Sequence, residues 1–340
     1  MSKKLFDFCC GNPPYMEPTE SDSTRMPPVY NSFMDAAYEV ADKVELITPA
    51  RFLFNAGYTP KAWNEKMLND EHFKVLHYET DAAKVFPNTE IKGGVAITYR
   101  DAEKDFGAIE IFTKYTELND ILKKVRGIVG DDSGLDVIIN SPLNFQLTEL
   151  MKTENPNLVD RLRTSAFTAL APIFFEERPN DGWQYISMMG LLKNKRVVRY
   201  VRKDYIRENG DTLDKYTLLL SKANGAGHFG ETLAPAVIAE PGMAYTQTFI
   251  GIGSFDTYIE AANAEIYIKT KFARAMLGIL KITQDCPGPK WKYVPVQDFS
   301  PSSDIDWTKS IHEIDLQLYR KYNLSKEEID FIETNVKEMV

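Results

Sequence analysis

Apolar residues along the first part of the chain come in short runs, separated by stretches where they recur at helical spacing. "LFDFCC" (5–10) is an apolar run broken by one acid and predicts a buried strand. "YNSFMDAAYEVAD" (30–42) spaces its apolar positions for a helix, and "KVELITPARFLF" (43–54) predicts a strand with Thr48 and Pro49 at its carboxyl end. "AWNEKMLND" predicts a short helix, "FKVLHYE" a strand, and "IKGGVAITYRD" a hairpin strand after the turn-rich "FPNTE". This succession predicts an α/β fold, a mostly parallel sheet covered by helices, whose last part is antiparallel.

The pattern then changes. "RGIVGDDSGLDVIINSPLNF" (126–145) is rich in Gly, Asp and Ser and predicts a linker, which divides the chain into residues 1–125 and 126–340. Beyond it, "GWQYISMMG", "KRVVRYVRKDYI" and "DKYTLLLSKA" predict strands joined by turns. "SFDTYIEAANAEIYIKTKFARAMLGILKITQ" predicts a long helical region broken near residue 270, and Ser325 with Glu328 is a capping signal for a last helix. The second part therefore reads as mixed α+β.

Composition narrows the function classes. The 340 residues are 44% hydrophobic and 26% charged, with a net charge of −9, which argues against a protein that coats nucleic acid indiscriminately. A local basic face remains: "LLKNKRVVRYVRKDYIR" (191–207) carries Lys193, Lys195, Arg196, Arg199, Arg202, Lys203 and Arg207 against the single acid Asp204. Alone, that stretch is also what a solvated surface strand looks like. No apolar run approaches a membrane span and no signal peptide is recognisable. Three cysteines (Cys9, Cys10, Cys286) and four scattered histidines (His72, His77, His228, His312) make neither a disulfide framework nor a metal set, so a reducing cytoplasm is expected.

The chemistry concentrates in "GNPPYM" (11–16), at the end of the first predicted strand. Consecutive prolines fix φ and remove two donors, leaving nearby carbonyls available. Asn12 adds a side-chain carbonyl and Tyr15 a flat aromatic face. Two acceptors beside a stacking plate suit a planar ligand with an NH₂ group, whose lone pair is thereby directed at an electrophile without a general base. Strand carboxyl ends are where open α/β sheets bind ligands.

"FDFCCGNPPYM" resembles the catalytic motif of S-adenosylmethionine-dependent amino-methyltransferases, in particular the adenine-N6 DNA methyltransferases of restriction–modification systems. "ELITPARFLFNAG" and "KVFPNTEIKGGVAITYRD" resemble the segments that follow it there. "KANGAGHFGE", "TQTFIGIGSF" and "IKTKFARAMLGILKITQDCPGPKWKYVPVQDF" resemble the target-recognition region of the subgroup whose methylase module is often fused to a nuclease. The resemblance implies a partial Rossmann-like methyltransferase sheet followed by a target-recognition domain that contacts double-stranded DNA through the basic stretch. It implies that Asn12 and the Pro13 carbonyl hold the amino group of a flipped adenine, with Pro14 shaping the turn, Tyr15 stacking on the base and Phe86 offering a second aromatic face. A core position is the competing reading of Phe86. Trp291 and Tyr293 read either as nucleic-acid contacts or as packing beneath the C-terminal helix.

One part of that family's pattern is absent. Its glycine-rich donor cradle and ribose-binding acid precede the Asn-Pro-Pro-Tyr segment, and eleven residues precede Asn12 here. "FIGIGSF" supplies Phe249, Gly251 and Gly253 in F-x-G-x-G spacing, as a permuted enzyme would. The expectation is an exposed apolar edge at "LFDFCC", completed by a second polypeptide or an N-terminal segment that brings the cofactor site. Two other functions remain open from sequence: a non-catalytic DNA-binding protein derived from such an enzyme, and a glutamine-side-chain methyltransferase, which shares the motif but lacks so extended a second region.

Overall fold

In the computed structural model, which describes residues 4–17, 27–56, 58–87, 89, 91, 93–158 and 161–339, the chain divides into two units, Met1–Asn119 and Asp120–Val340. The division falls inside helix α3 (Thr116–Val129), slightly before the expected boundary at 125. Both units mix helices with small sheets.

In the first unit, β1 (Phe6–Gly11), β2 (Ala41–Pro49), β3 (Phe73–Glu79) and β4 (Val95–Asp101) form one sheet in the order β1-β2-β4-β3. β1 runs parallel to β2, and β4 runs antiparallel to both β2 and β3. The carboxyl ends of β1, β2 and β3 therefore lie along one edge of the sheet. Helix α1 (Tyr30–Val40) links β1 to β2 and directs Tyr30, Met34, Ala37 and Tyr38 at the core, the i, i+4, i+7, i+8 stripe of an amphipathic helix. Helix α2 (Lys61–Leu68) buries Trp63, Met67 and Leu68 in the same cluster, around Phe52 and Phe73.

The strand at "LFDFCC" forms, but it is not buried. Phe6 is 58% and Phe8 50% exposed, and only Cys9 packs against the core. The reason lies in the register. Cys9 pairs with Val44 on the covered face, whereas Phe8 pairs with Lys43 and Cys10 with Glu45 on the opposite one. β1 is also the last strand of its sheet. Of the segment "KVFPNTEIKGG", Asn88, Glu90 and Lys92 lie outside the described residues.

The second unit opens with α3, then β5 (Phe145–Leu147), α4 (Glu149–Glu154) and the short α5 (Ala166–Ala169). Next come β6 (Tyr185–Leu192), β7 (Lys195–Arg202), β8 (Ile206–Glu208), β9 (Tyr216–Ser221), β10 (Val237–Ala239), β11 (Met243–Tyr245) and β12 (Phe249–Phe255). They pair as β11-β6-β7, β10-β9-β12 and β5-β8 around a core that includes Phe167, Met188, Leu219 and Phe249. Helices α6 (Tyr258–Lys269), α7 (Lys271–Leu277), α8 (Ile311–Lys321) and α9 (Lys326–Asn335) follow. The break between α6 and α7 is at Thr270, whose extended backbone ends one helix while its hydroxyl caps the next by accepting from Ala273 N. Ser325 and Glu328 form a full capping box on α9.

The expected linker is a packed segment. Leu135 is fully buried, Gly134 bridges to Pro295, and Asn140 N donates to Gly251 O at 2.8 Å. A side chain at Gly134 would strike the Lys292 carbonyl, so its glycine serves close backbone approach, not flexibility. Trp291 has no exposed surface and is a core residue.

Candidate functional site at the carboxyl edge of the first sheet

Asn12–Tyr15 leaves the sheet where β1 ends. Its far side is fixed by backbone: Val29 N donates to Tyr15 O at 3.2 Å, and Glu17 N to Pro27 O at 3.0 Å, so the turn is tied to the start of α1. Asn12 and Pro14 are exposed and Pro13 is half-buried. Among the described residues, neither the Asn12 amide nor the Pro13 carbonyl has a hydrogen-bond partner. Both acceptors are thus unspent.

Tyr15 is half-buried and packs against the first core. Its hydroxyl is enclosed without a partner, and burial pushes its pKa up to about 12. Phe86 reaches it from the turn that follows β3: the ring centroids are 6.4 Å apart with planes at 69°. Phe86 is itself half-buried, so it is not a core residue. The geometry follows from topology, because β1 and β3 both end at this edge and each delivers one ring. The planes do not yet form parallel jaws. A flat ligand between them requires Phe86 to turn, a side-chain adjustment of the kind common on binding.

Two further residues stand at the same edge, at the end of β2. The Thr48 hydroxyl is fully buried without a partner. Arg51 lies against Gly93, and a side chain on that glycine would press on its stem. The position of Thr48 at a strand's carboxyl end was readable from sequence; the approach of Arg51 to Gly93 was not, since nothing local pairs them.

The glycine pattern considered as a donor cradle does not fit one. Gly251 lies inside β12, in the antiparallel ladder with Leu219 of β9, and a side chain there would collide with the Tyr245 hydroxyl. Gly253 sits at an irregularity of the same strand with φ 71°. These glycines make room for packing, not for a ligand.

In the second unit, the basic stretch divides by partner. Arg202 lies 3.7 Å from the Trp183 ring centre and 4.3 Å from that of Tyr205, and pairs with Asp204 at 2.6 Å and Glu154 at 2.9 Å. Arg199 pairs with Glu176 at 2.6 Å. Arg196 donates to Pro235 O and Ser221 Oγ, and Arg207 to Gln146 Oε1. Lys193, Lys195 and Lys203 are exposed and, among the described residues, have no side-chain partner. Lys193 and Asn194 take φ values of 48° and 61°, the left-handed pair that closes a two-residue hairpin between β6 and β7. In the loop "KANGAGHFGE", Glu231 accepts from Ala226 N and Gly227 N and pairs with Lys281, which organises the loop from within.

Comparison with known proteins adds the following. A search of curated proteins found no match. Among solved structures, the chain is similar to the type IIG restriction endonuclease BpuSI, at 8% identity and a TM-score of 0.30, over 92% of this chain and 50% of that one. It is also similar to the type IIL restriction-modification enzyme MmeI in complex with DNA, at 10% identity and a TM-score of 0.32, over 96% and 56%. The chain spans about half the length of these two structures. The residues that hold the Asn-Pro-Pro-Tyr turn and both of its aromatic rings, 1–86, match the Eco57I restriction-modification methylase family.

Proposed function

We propose that this chain is the catalytic-face and target-recognition part of a site-specific DNA adenine-N6 methyltransferase in a restriction–modification system. The observation that carries the reading is the convergence of Asn12, Tyr15 and Phe86: an unspent amide and two rings at one sheet edge. Asn12 and the Pro13 carbonyl accept the two amino hydrogens of an extruded adenine, and Pro14 keeps the turn rigid. Tyr15 and Phe86 cover the base faces. Unstacking the base costs a few kcal/mol, which this stacking offsets. Holding the amino group is a positioning and electrostatic contribution, with no proton acceptor needed before the methyl transfers.

The methyl donor in this reading is S-adenosylmethionine, which Gly251 and Gly253 do not cradle, because packing fills the space beside them. Its site is assigned to a second polypeptide or a further segment that extends the sheet beside β1, making the present strands one half of a Rossmann-like sheet. Two facts support that assignment. Parallel strands are ordinarily covered on both faces, and here Phe6 and Phe8 are bare. An exposed apolar edge strand is also a template for strand addition. The second unit contacts double-stranded DNA through the basic stretch, with Lys193, Lys195 and Lys203 touching phosphates directly and Arg196, Arg199, Arg202 and Arg207 each held by an internal partner. The setting is the reducing cytoplasm.

The test is methyl transfer to duplex DNA by the chain with the products of neighbouring genes added. Transfer that disappears on Asn12→Ala supports the reading. DNA binding without any transfer, in every combination, replaces it with the non-catalytic DNA-binding protein.

A further inference from the structure

Trp183 is 55% exposed, whereas the other three tryptophans, Trp63, Trp291 and Trp307, are buried. A single exposed aromatic side chain is ordinary; one that is held still is not. The turn before it is closed from two sides: Trp183 N donates to Asp181 Oδ1 at 3.1 Å, and the Tyr185 hydroxyl donates to Asp181 Oδ2 at 2.8 Å. Against one face of the indole, 3.7 Å from the ring centre, lies the Arg202 guanidinium. Arg202 is itself pinned. Its Nε and Nη2 donate to Asp204 at 3.0 and 2.6 Å, its Nη1 donates to Glu154 at 2.9 Å and to the Tyr205 hydroxyl at 3.1 Å, and the Tyr205 ring backs it at 4.3 Å.

The indole is therefore fixed with its outer face in water, and what fits that face follows from its surroundings. A ligand that lies on it does not have to immobilise the side chain, an ordering that otherwise costs about 0.5–1.5 kcal/mol. The guanidinium draws π density to the inner face. A second cation on the outer face would meet the charge of Arg202, while a flat neutral ring meets less quadrupole repulsion there than on an isolated indole. A charge stands beside the ring as well. Lys203 N donates to Gln184 O at 2.8 Å, which ties the residue after Arg202 to the residue after Trp183. Lys203 is exposed, and its ammonium group has no partner among the described residues. The neighbouring acids are engaged: Asp181 by Trp183 N and Tyr185, Asp204 and Glu154 by Arg202.

A flat base joined to a phosphate uses the ring and the ammonium group together, the pairing by which proteins hold single strands. A protein partner has less to gain: one ring among the exposed Asp181, Gly182 and Gln184 is little apolar ground for an interface of roughly 1,200–2,000 Å². We infer that Trp183 is a stacking platform for an unpaired base of a DNA strand, whose phosphate meets Lys203. The inference rests on the proposed contact of the second unit with DNA and adds to it a preference for strand that has left the duplex. A base inside the stack has both faces covered by its neighbours; one that has been unstacked offers a face to the indole.

The experiment uses the full chain carrying Asn12→Ala and an oligothymidylate of about eight nucleotides. Thymine has no amino group for the Asn12 turn to hold, so the result is independent of methyl transfer. Trp183 is the tryptophan that acrylamide reaches from solvent. Saturating oligothymidylate is expected to shield it from acrylamide quenching. Trp183→Ala is expected to weaken oligothymidylate binding by about tenfold, and Trp183→Phe, which keeps a flat face, to recover most of that loss. Lys203→Ala should lower the slope of log K against log salt by about 0.7 and leave the shielding at saturation intact. A fully paired duplex should bind the parent and Trp183→Ala alike. Three results overturn the inference: no binding of oligothymidylate, an indole as open to acrylamide in the complex as without it, or a Trp183→Ala loss equal for duplex and single strand, which would make the ring a mere support of Arg202. Any of these beside methyl transfer that depends on Asn12 would strike the platform and leave the proposed function standing.

Discussion

The Tyr15 ring stands edge-on to the Phe86 ring, 6.4 Å between centroids, although 71 positions separate them in the chain. The two meet because parallel strands β1 and β3 end at the same edge. The rings are exposed enough to take a ligand, but the Tyr15 hydroxyl points into the protein and has no partner. An enclosed, unpaired hydroxyl costs about 1–3 kcal/mol. Tyr15→Phe should therefore raise the unfolding free energy, by about 1 kcal/mol, and keep the stacking face. Tyr15→Ala should lose methyl transfer. Denaturant titrations beside a methylation assay check both, and a Tyr15→Phe chain less stable than the parent contradicts the geometry.

Asn12 is exposed and its amide is unspent, so its removal takes nothing from the fold. Asn12→Ala should leave the melting temperature and duplex affinity unchanged and abolish transfer. Phe86→Ala should cost about 1–3 kcal/mol of affinity, the worth of stacking one base, seen best on DNA whose target base is mismatched. Equal loss of affinity in both variants would contradict the division of labour between amide and ring.

The bare face of β1 predicts a solution property. Phe6→Lys with Phe8→Lys should reduce self-association of the isolated chain, because charge on an edge strand blocks strand pairing. The same change should prevent the completing polypeptide from binding. Light scattering and co-purification measure the two. An association that survives both lysines places the partner elsewhere.

Arg202 and the neighbouring lysines should behave oppositely. Arg202→Lys loses the planar stack between Trp183 and Tyr205 and the paired contacts to Asp204 and Glu154, so stability should fall by about 1–3 kcal/mol. Lys193→Ala, Lys195→Ala and Lys203→Ala should leave stability unchanged. Each that touches phosphate should lower the slope of log K against log salt by about 1.

Glu231 makes acid stability depend on the loop it holds. Lys281 and the amides of Ala226 and Gly227 outweigh the effect of burial and hold its carboxyl down at about 2, against an ordinary 4.5. A depressed carboxyl contributes stability that is complete above about pH 4.5 and is lost as the pH falls toward 2. Glu231→Gln should flatten that part of the stability–pH curve. Acid titrations of the two chains, followed by fluorescence, would show the same slope if the ion pair were unimportant.

Much of the first unit was legible because its strands and helices are patterned locally. "FKVLHYE" is β3 residue for residue, and the break at Thr270 followed from helical spacing that stops and restarts. The apolar run of β1 read locally as a buried strand, because such a run says nothing about whether a neighbouring strand exists; the exposed edge expected from the incomplete family pattern is what Phe6 and Phe8 show. Gly130, Gly134 and the acids between them look like a linker, yet Gly134 is small because Lys292 passes beside it. The basic stretch looked free because its acids are distant: Glu154 lies 48 positions from Arg202, and Glu176 lies 23 from Arg199. Motif chemistry located one ring of the site and the family likeness the other.

The pair of backbone bonds joining Tyr15 and Glu17 to Val29 and Pro27 acts as a clasp. Whatever length of chain runs between its two sides, the clasp transmits none of it to Asn12. Doubling the number of residues between two such anchor points adds only about 0.6 kcal/mol of closure cost. Evolution and protein engineers alike can lengthen, shorten or decorate the stretch after Glu17 and leave Asn12 where it is.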